Sequence, residues 1–306
     1  QVDAFVESGV SAIVIVPVDP DTIVPAVEAA NAAGIPVLAV DRAASGGVVA
    51  SLIASDNVGG GRMAGEFLFE AMGGSGKVVE IQGDMAVSSG ALRSEGFQVA
   101  LDAAPGIERV AQAPAYFDYG IAYQSTRQAL EEDPDIGGVF ASNLDMLYGA
   151  AEGVAAAGRQ GQVRVVGFDA DPVILDMVKD GSIDATVAQL PWMMGRKAVE
   201  AALATVAGET VDAFIPVETV LVTPDNVEQY LAGEVIAAEA PVEEASSAPP
   251  EAEEPSSEEL DEAVSWPQLT RFLAYGEDPK QVIHVFELEP RAEPRPAVVF
   301  FHGGGL

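Results

Sequence analysis

The sequence predicts an α/β protein whose doubly wound parallel sheets are covered on both faces by helices. Three observations carry that reading. Short β-rich runs alternate with helical patterns from Ser11 to about Leu231. The runs are apolar throughout, as strands buried on both faces are. The stretches between them repeat apolar residues three and four apart, the period of a helix with one buried face.

The elements follow in order. "QVDAFVESG" opens in helical pattern, and "AIVIVP" (residues 12–17) reads as a buried strand. "PDTIVPAVEAANAAG" (residues 20–34) reads as a helix closed by Gly34, since glycine tolerates the left-handed turn after a last helical residue. "PVLAV" and "VVASLIA" are the next strands. "VGGGRMAG" (residues 58–65) starts a helix whose small residues should pack close to the sheet. Ala64, Phe67, Leu68, Ala71 and Met72 share one face of it, which makes the Met and Phe residues of 63–72 core. The rhythm continues through "KVVEIQG", "GGVFAS", "VRVVGFD" and "ATVAQL".

After Gly233 the character changes. Between Ala238 and Trp266 stand 10 acidic residues and no Lys or Arg, among Pro, Ala and Ser. Such a stretch buries too little apolar surface to offset chain entropy, so residues 238–265 read as an extended, disordered linker. From Trp266 a second globular pattern begins and ends in "VVFFHGGGL".

Composition excludes several functions. The chain of 306 residues carries a net charge of −33 with 15 basic residues, which disfavours nucleic acid and direct membrane insertion or anionic surfaces. It has no cysteine, so disulfides, thiol nucleophiles and Cys-ligated metals are absent. Neither a cofactor nor a metal is expected. "GGSGKVV" is not a phosphate loop: Ala71 replaces its first glycine, Val78 its Ser/Thr, and it precedes a strand. It reads as a turn. No Ser has Gly at both minus two and plus two, and His284 and His302 are the only histidines. The chain is therefore expected not to be an enzyme. It begins with Gln1 and stops on the His-Gly run, which reads as a fragment of a longer frame.

In open α/β sheets ligands bind beyond the carboxyl ends of the strands. There this sequence places Asp41 and Arg42, Arg93, Phe117, Asn143, Asp169 and Gln189. Carboxylate, guanidinium and amide groups each make two directional hydrogen bonds, which suits vicinal hydroxyls, and an aromatic face suits the C–H side of a sugar. Each has a plainer role beside it. Asp41 and Arg42 suit a strand-end ion pair, and Arg93 alone a solvated helix residue. Phe117 suits a cap on the core, Asn143 and Asp169 helix N-caps, and Gln189 a hinge.

"IPVLAVDR", "IASDNVGGGRMAGEFL", "ALRSEGF", "VFASNLDMLYGA", "VVGFDADP" and "ATVAQLPWMMGRKAVEA" resemble, in order and spacing, the ribose-binding-protein group of type I periplasmic binding proteins, over residues 1–232. The resemblance implies a two-lobed periplasmic binding protein type I fold that crosses between lobes near Ser55, Gln189 and Glu218. The first lobe would be residues 1–55 plus 190–218, the second 56–189 plus 219–237. It implies that Asp41, Arg42, Arg93, Phe117, Asn143, Asp169 and Gln189 contact a monosaccharide. It also implies hinge closure, a membrane permease of an ABC importer as partner, a monomer, and a periplasmic or extracytoplasmic location. Val16 stands where the ribose receptors have Asn. The family's first strand, first helix and second strand are not found ahead of Gln1, nor are an aromatic pair and polar residues that close the pocket. The strand at residues 12–17 is accordingly expected to be a bare apolar edge, open to aggregation.

Residues 266–306 resemble the opening of an HGGG-type α/β-hydrolase esterase, in which Gly303, Gly304 and Gly305 would supply oxyanion-hole N–H groups in a longer protein. Two other readings stay open. One is an accessory sugar module of a carbohydrate esterase, and the other is the effector domain of a lactose-repressor-type regulator.

Overall fold

The computed structural model describes residues 2–234, with 269–274, 282–287 and 297–300 entering as strands. The chain runs α1 (Val2–Ser8), β1 (Ala12–Ile15), α2 (Val24–Ala32), β2 (Val37–Val40) and β3 (Val49–Ser55). It continues through α3 (Asn57–Ala71), β4 (Gly76–Gln82), α4 (Ser88–Ala103), β5 (Ile107–Pro114), α5 (Tyr119–Glu132), β6 (Ile136–Ala141), α6 (Leu144–Ala156), β7 (Arg164–Phe168), α7 (Pro172–Lys179) and β8 (Ala185–Ala188). Then come α8 (Pro191–Val206), β9 (Phe214–Val217), β10 (Val220–Val222), α9 (Val227–Leu231), β11 (Leu269–Ala274), β12 (Val282–Glu287) and β13 (Ala297–Phe300).

Two sheets result. The first has the order β11-β12-β13-β1-β2-β3-β9 and the second β10-β8-β7-β6-β4-β5. β1, β2, β3 and β9 are mutually parallel, as are β5, β4, β6, β7 and β8; β10 closes the second sheet antiparallel to β8. The chain leaves the first sheet after β3, returns after β8, and crosses again between β9 and β10. β1, β2 and β8 are buried from end to end, and β7 is buried beyond Arg164, which explains their apolar runs.

α2 begins at Val24, four residues later than its pattern suggests. The Asp19 carboxylate accepts the N–H groups of Asp21 and Thr22, at 3.0 and 2.7 Å, and holds that stretch as a turn. Gly34 follows the helix with φ 74°.

The glycine-rich start of α3 packs mainly on a helix and only partly on the sheet, a correction to the expectation. Gly60 does face Phe168 of β7. Gly61, however, lies against the backbone of α4: a Cβ there would sit 2.1 Å from the Arg93 carbonyl oxygen. Gly96 of α4 returns the contact, with a Cβ position 2.1 Å from the Val58 carbonyl. Two backbones in direct contact fix the height of α4, and Arg93 rides on it. Beneath them Phe97 stacks on Phe140 with centroids 4.6 Å apart.

β1 is not a bare edge, which overturns that expectation. β13 lies parallel along it, pairing Val298 with Ala12, Val299 with Ile13 and Phe300 with Val14. An edge strand presents a row of unpaired N–H and C=O groups, and another strand satisfies them regardless of its place in sequence. Residues 238–265, the expected linker, and His302 to Gly305 lie outside the described residues. Among the described residues no helix is long and apolar enough to cross a membrane.

Candidate functional site

The turns that follow β2, β5 and β7 share an unusual backbone. Asp41, Phe117 and Asp169 have φ of 68°, 63° and 76°, and Tyr116 has 54°. Left-handed backbone costs a non-glycine residue roughly 1–2 kcal/mol, and such strain concentrates where side chains must be aimed. All three side chains face one cavity of about 240 Å³. Arg42, Arg93, Asn143 and Gln189 also line it, so the seven sequence-selected residues meet in a single place.

Arg93 is the centre of the arrangement. It is 3% exposed although it belongs to a helix. Its Nε donates to Asn57 Oδ1 at 2.8 Å, its Nη1 donates to the Ser142 carbonyl at 2.7 Å, and the guanidinium sits 4.0 Å above the Phe168 ring. Burial pushes its pKa down, and the charges of Asp169 and Asp41 oppose that. Asp169 lies 4.0 Å from Nη1. Its other interactions explain its direction: Oδ1 accepts Gln189 Nε2 at 2.5 Å, and Oδ2 accepts the Leu144 N–H at 3.0 Å.

Several of the plainer roles hold, beside the cavity. Asn143 is the N-cap of α6, accepting the Met146 N–H at 3.0 Å. Asp169 is not the cap of the helix that follows it, a further correction: Asp171 caps α7, and Asp169 instead reaches across to the start of α6. Gln189 serves the crossing as well as the cavity, since its Oε1 accepts the Ser55 hydroxyl at 2.8 Å.

Asp41 and Arg42 form an ion pair, with Arg42 Nε 3.3 Å from Asp41 Oδ2. The geometry leaves the buried Arg42 Nε–H without a hydrogen-bond acceptor among the described residues. The same guanidinium lies 5.9 Å from the centroid of Phe117. Burial raises the Asp41 pKa; Arg93 and Arg42 oppose the rise and the Asp169 charge adds to it.

That shift has a signed consequence. A native pKa above the ordinary value of 3.8 means the folded state holds the Asp41 proton better than the unfolded chain does. Asp41 therefore favours the fold below that value and loses the contribution as pH rises through its native pKa. Denaturant titrations should show Asp41→Asn gaining stability relative to wild type as pH rises above 3.8 and through the raised native pKa of Asp41.

The sequence reading passes over four lining or supporting groups. Ser89, Asp145 and Asp171 also line the cavity, and Asn57 orients Arg93 from a position 3% exposed. Desolvation, followed by the charges of Asp169, Asp118 and Asp171, raises the Asp145 pKa. Asp171 takes the Tyr148 hydroxyl at 2.8 and 2.9 Å, and this bond, after burial, drives the Tyr148 pKa upward. Asp171 before Pro172 carries a visible signal, a cap followed by Pro at the first helical position. Asn57 carries none, because its value lies in a partner 36 residues away. No group of His, Asp or Glu that could hold a metal occurs among the described residues.

Comparisons with known proteins identify the family of the chain. Residues 1–210 match the periplasmic binding protein domain. The ribose import binding protein of Salmonella typhimurium is 42% identical over 214 residues, which are 70% of this chain and 72% of that one. A periplasmic solute-binding protein of an ABC transporter from Actinobacillus succinogenes, solved with bound D-allose, superposes with a TM-score of 0.70 at 31% identity, covering 75% of this chain and 84% of that one. A carbohydrate transporter solute-binding protein from Agrobacterium radiobacter, in complex with D-arabinose, gives 0.68 at 30% identity, covering 76% and 80%. With a family match over more than half its length and a site assembled between two largely parallel sheets, this chain belongs to the periplasmic binding protein domain family.

Proposed function

We propose that this chain is the substrate receptor of an ABC sugar importer and holds one neutral monosaccharide, pentose or hexose, between its two sheets. The observation that carries the reading is convergence. Asp41 and Arg42 come from the first sheet, Arg93, Phe117, Asn143 and Asp169 from the second, and Gln189 from a crossing, all onto one cavity. Its volume of about 240 Å³ is below the roughly 300–1,000 Å³ of drug-sized ligand sites. The unmatched Arg42 Nε–H is a donor in search of a hydroxyl, and Phe117 offers an apolar face. A sugar gripped from both sides favours the closed arrangement, because only there are all its contacts made. The closed shape is what a permease would read.

Charge narrows the ligand. Asp41, Asp145, Asp169 and Asp171 face two guanidinium groups, each already beside a carboxylate. An anionic sugar would meet uncompensated repulsion. Calorimetric titration with D-ribose, D-allose, D-arabinose and ribose 5-phosphate is the test. At least one neutral sugar binds and the phosphate does not; binding of the phosphate alone would overturn the reading.

The family resemblance supports an extracytoplasmic, monomeric receptor. The likeness of residues 266–306 to an esterase opening supports an acyl-removing module, with Gly303, Gly304 and Gly305 as its backbone donors.

A further inference from the structure

The seven cavity residues converge on one site, but one further contact spans the cleft between protein groups alone. The Ala43 N–H, just beyond β2 in the first lobe, donates to Ser88 Oγ at 3.1 Å, and Ser88 is the first residue of α4 in the second lobe. Forty-five residues separate the two in sequence. Among the described residues, no other side-chain hydrogen bond joins the lobes away from the three crossings. Ser88 has no competing local duty. The start of α4 has no side-chain cap, and Ser88 itself does not line the cavity, which belongs to its neighbour Ser89. The bond sits beside the second cross-cleft contact, the Arg42 guanidinium over the Phe117 ring.

We infer that Ser88 is a cleft latch: its hydroxyl sets the balance between open and closed receptor, and so scales affinity for every ligand equally without selecting among them. The inference rests on the receptor reading above. The physical reason is linkage. A bond made only in the closed state, by protein groups alone, multiplies the closed-to-open equilibrium constant by a fixed factor and so raises the closed fraction. The apparent dissociation constant of any ligand that binds the closed state falls in proportion to that fraction, by one ratio common to all such ligands and no larger than the bond's own factor. A cavity residue behaves differently, because its loss depends on which hydroxyl it meets. One neutral hydrogen bond corresponds to roughly 2- to 10-fold.

The chain has no cysteine, so paired spin labels can be introduced cleanly. Glu28→Cys on α2 and Glu95→Cys on α4 put them at exposed positions on opposite lobes of the full chain. Without sugar, Ser88→Ala shifts the label distances toward longer values, and Ser88→Thr, which keeps the acceptor, restores them. With D-ribose, D-allose and D-arabinose, Ser88→Ala weakens whichever of them bind by one common factor of about 2 to 10. Unchanged label distances overturn the latch. Losses that differ between sugars beyond that range also overturn it, because Ser88 would then be reading the ligand. If no sugar binds the wild type, the receptor reading fails, and the label distances still decide the latch.

Discussion

Arg93→Met is expected to abolish useful sugar binding and to destabilise the fold at the same time. The guanidinium is buried between Asp41 and Asp169, hydrogen-bonded to Asn57 and to the Ser142 carbonyl, and stacked on Phe168. Removing it leaves the Asp41 carboxylate, 7% exposed, with Arg42 alone and with the Asp169 charge unopposed beside it. Breaking a buried charge arrangement by deleting one partner costs about 3–5 kcal/mol of stability. Losing a charged donor from a desolvated ligand site costs at least about 2 kcal/mol of binding, roughly 30-fold or more. Denaturant unfolding and calorimetric titration measure the two separately. Arg93→Lys sharpens the test: it keeps the charge but loses the planar fork. It should recover part of the stability and little of the affinity.

Gly61→Val should do comparable damage by a wholly different route. Its Cβ would lie 2.1 Å from the Arg93 carbonyl oxygen, a backbone atom that no rotamer change can move away. Ordinary overpacking costs about 1–3 kcal/mol because side chains give way. Here α3 and α4 must separate as bodies, so a loss above about 4 kcal/mol is expected, the range reserved for severe structural conflicts. Binding is lost with it, since α4 carries Arg93 and Ser89 into the cavity. Gly137→Ala is the control. Its Cβ would meet only the flexible end of Met72 at 3.4 Å, and unfolding should shift by less than about 1 kcal/mol.

Much of the site is legible in the sequence because it obeys a positional rule. Residues just past the carboxyl ends of parallel strands face the ligand crevice, so finding the strands finds Asp41, Phe117, Asn143 and Asp169. The rule does not say what else each side chain holds. Asp169 reads as the cap of its own helix, yet its carboxylate spans to Leu144 and Gln189 because the turn puts its backbone at φ 76° and aims it sideways. Arg93, assigned to the ligand site, reads on its own as a solvated helix residue; the glycine contacts at Gly61 and Gly96 draw that helix close enough to bury it.

The sequence by itself determined the class of fold, the succession of strands and helices, and the kinds of chemical group gathered at the strand ends. These follow from periodicity and local backbone preference, which neighbouring residues set between them. Only the tertiary structure decided that β13 flanks β1, that Asn57 steers Arg93, and that Ser88 meets Ala43 across the cleft. Each of those is a contact between residues 36 or more apart in the chain. Their partners are chosen by which backbones can come together in space, and no local pattern of residue types records that choice.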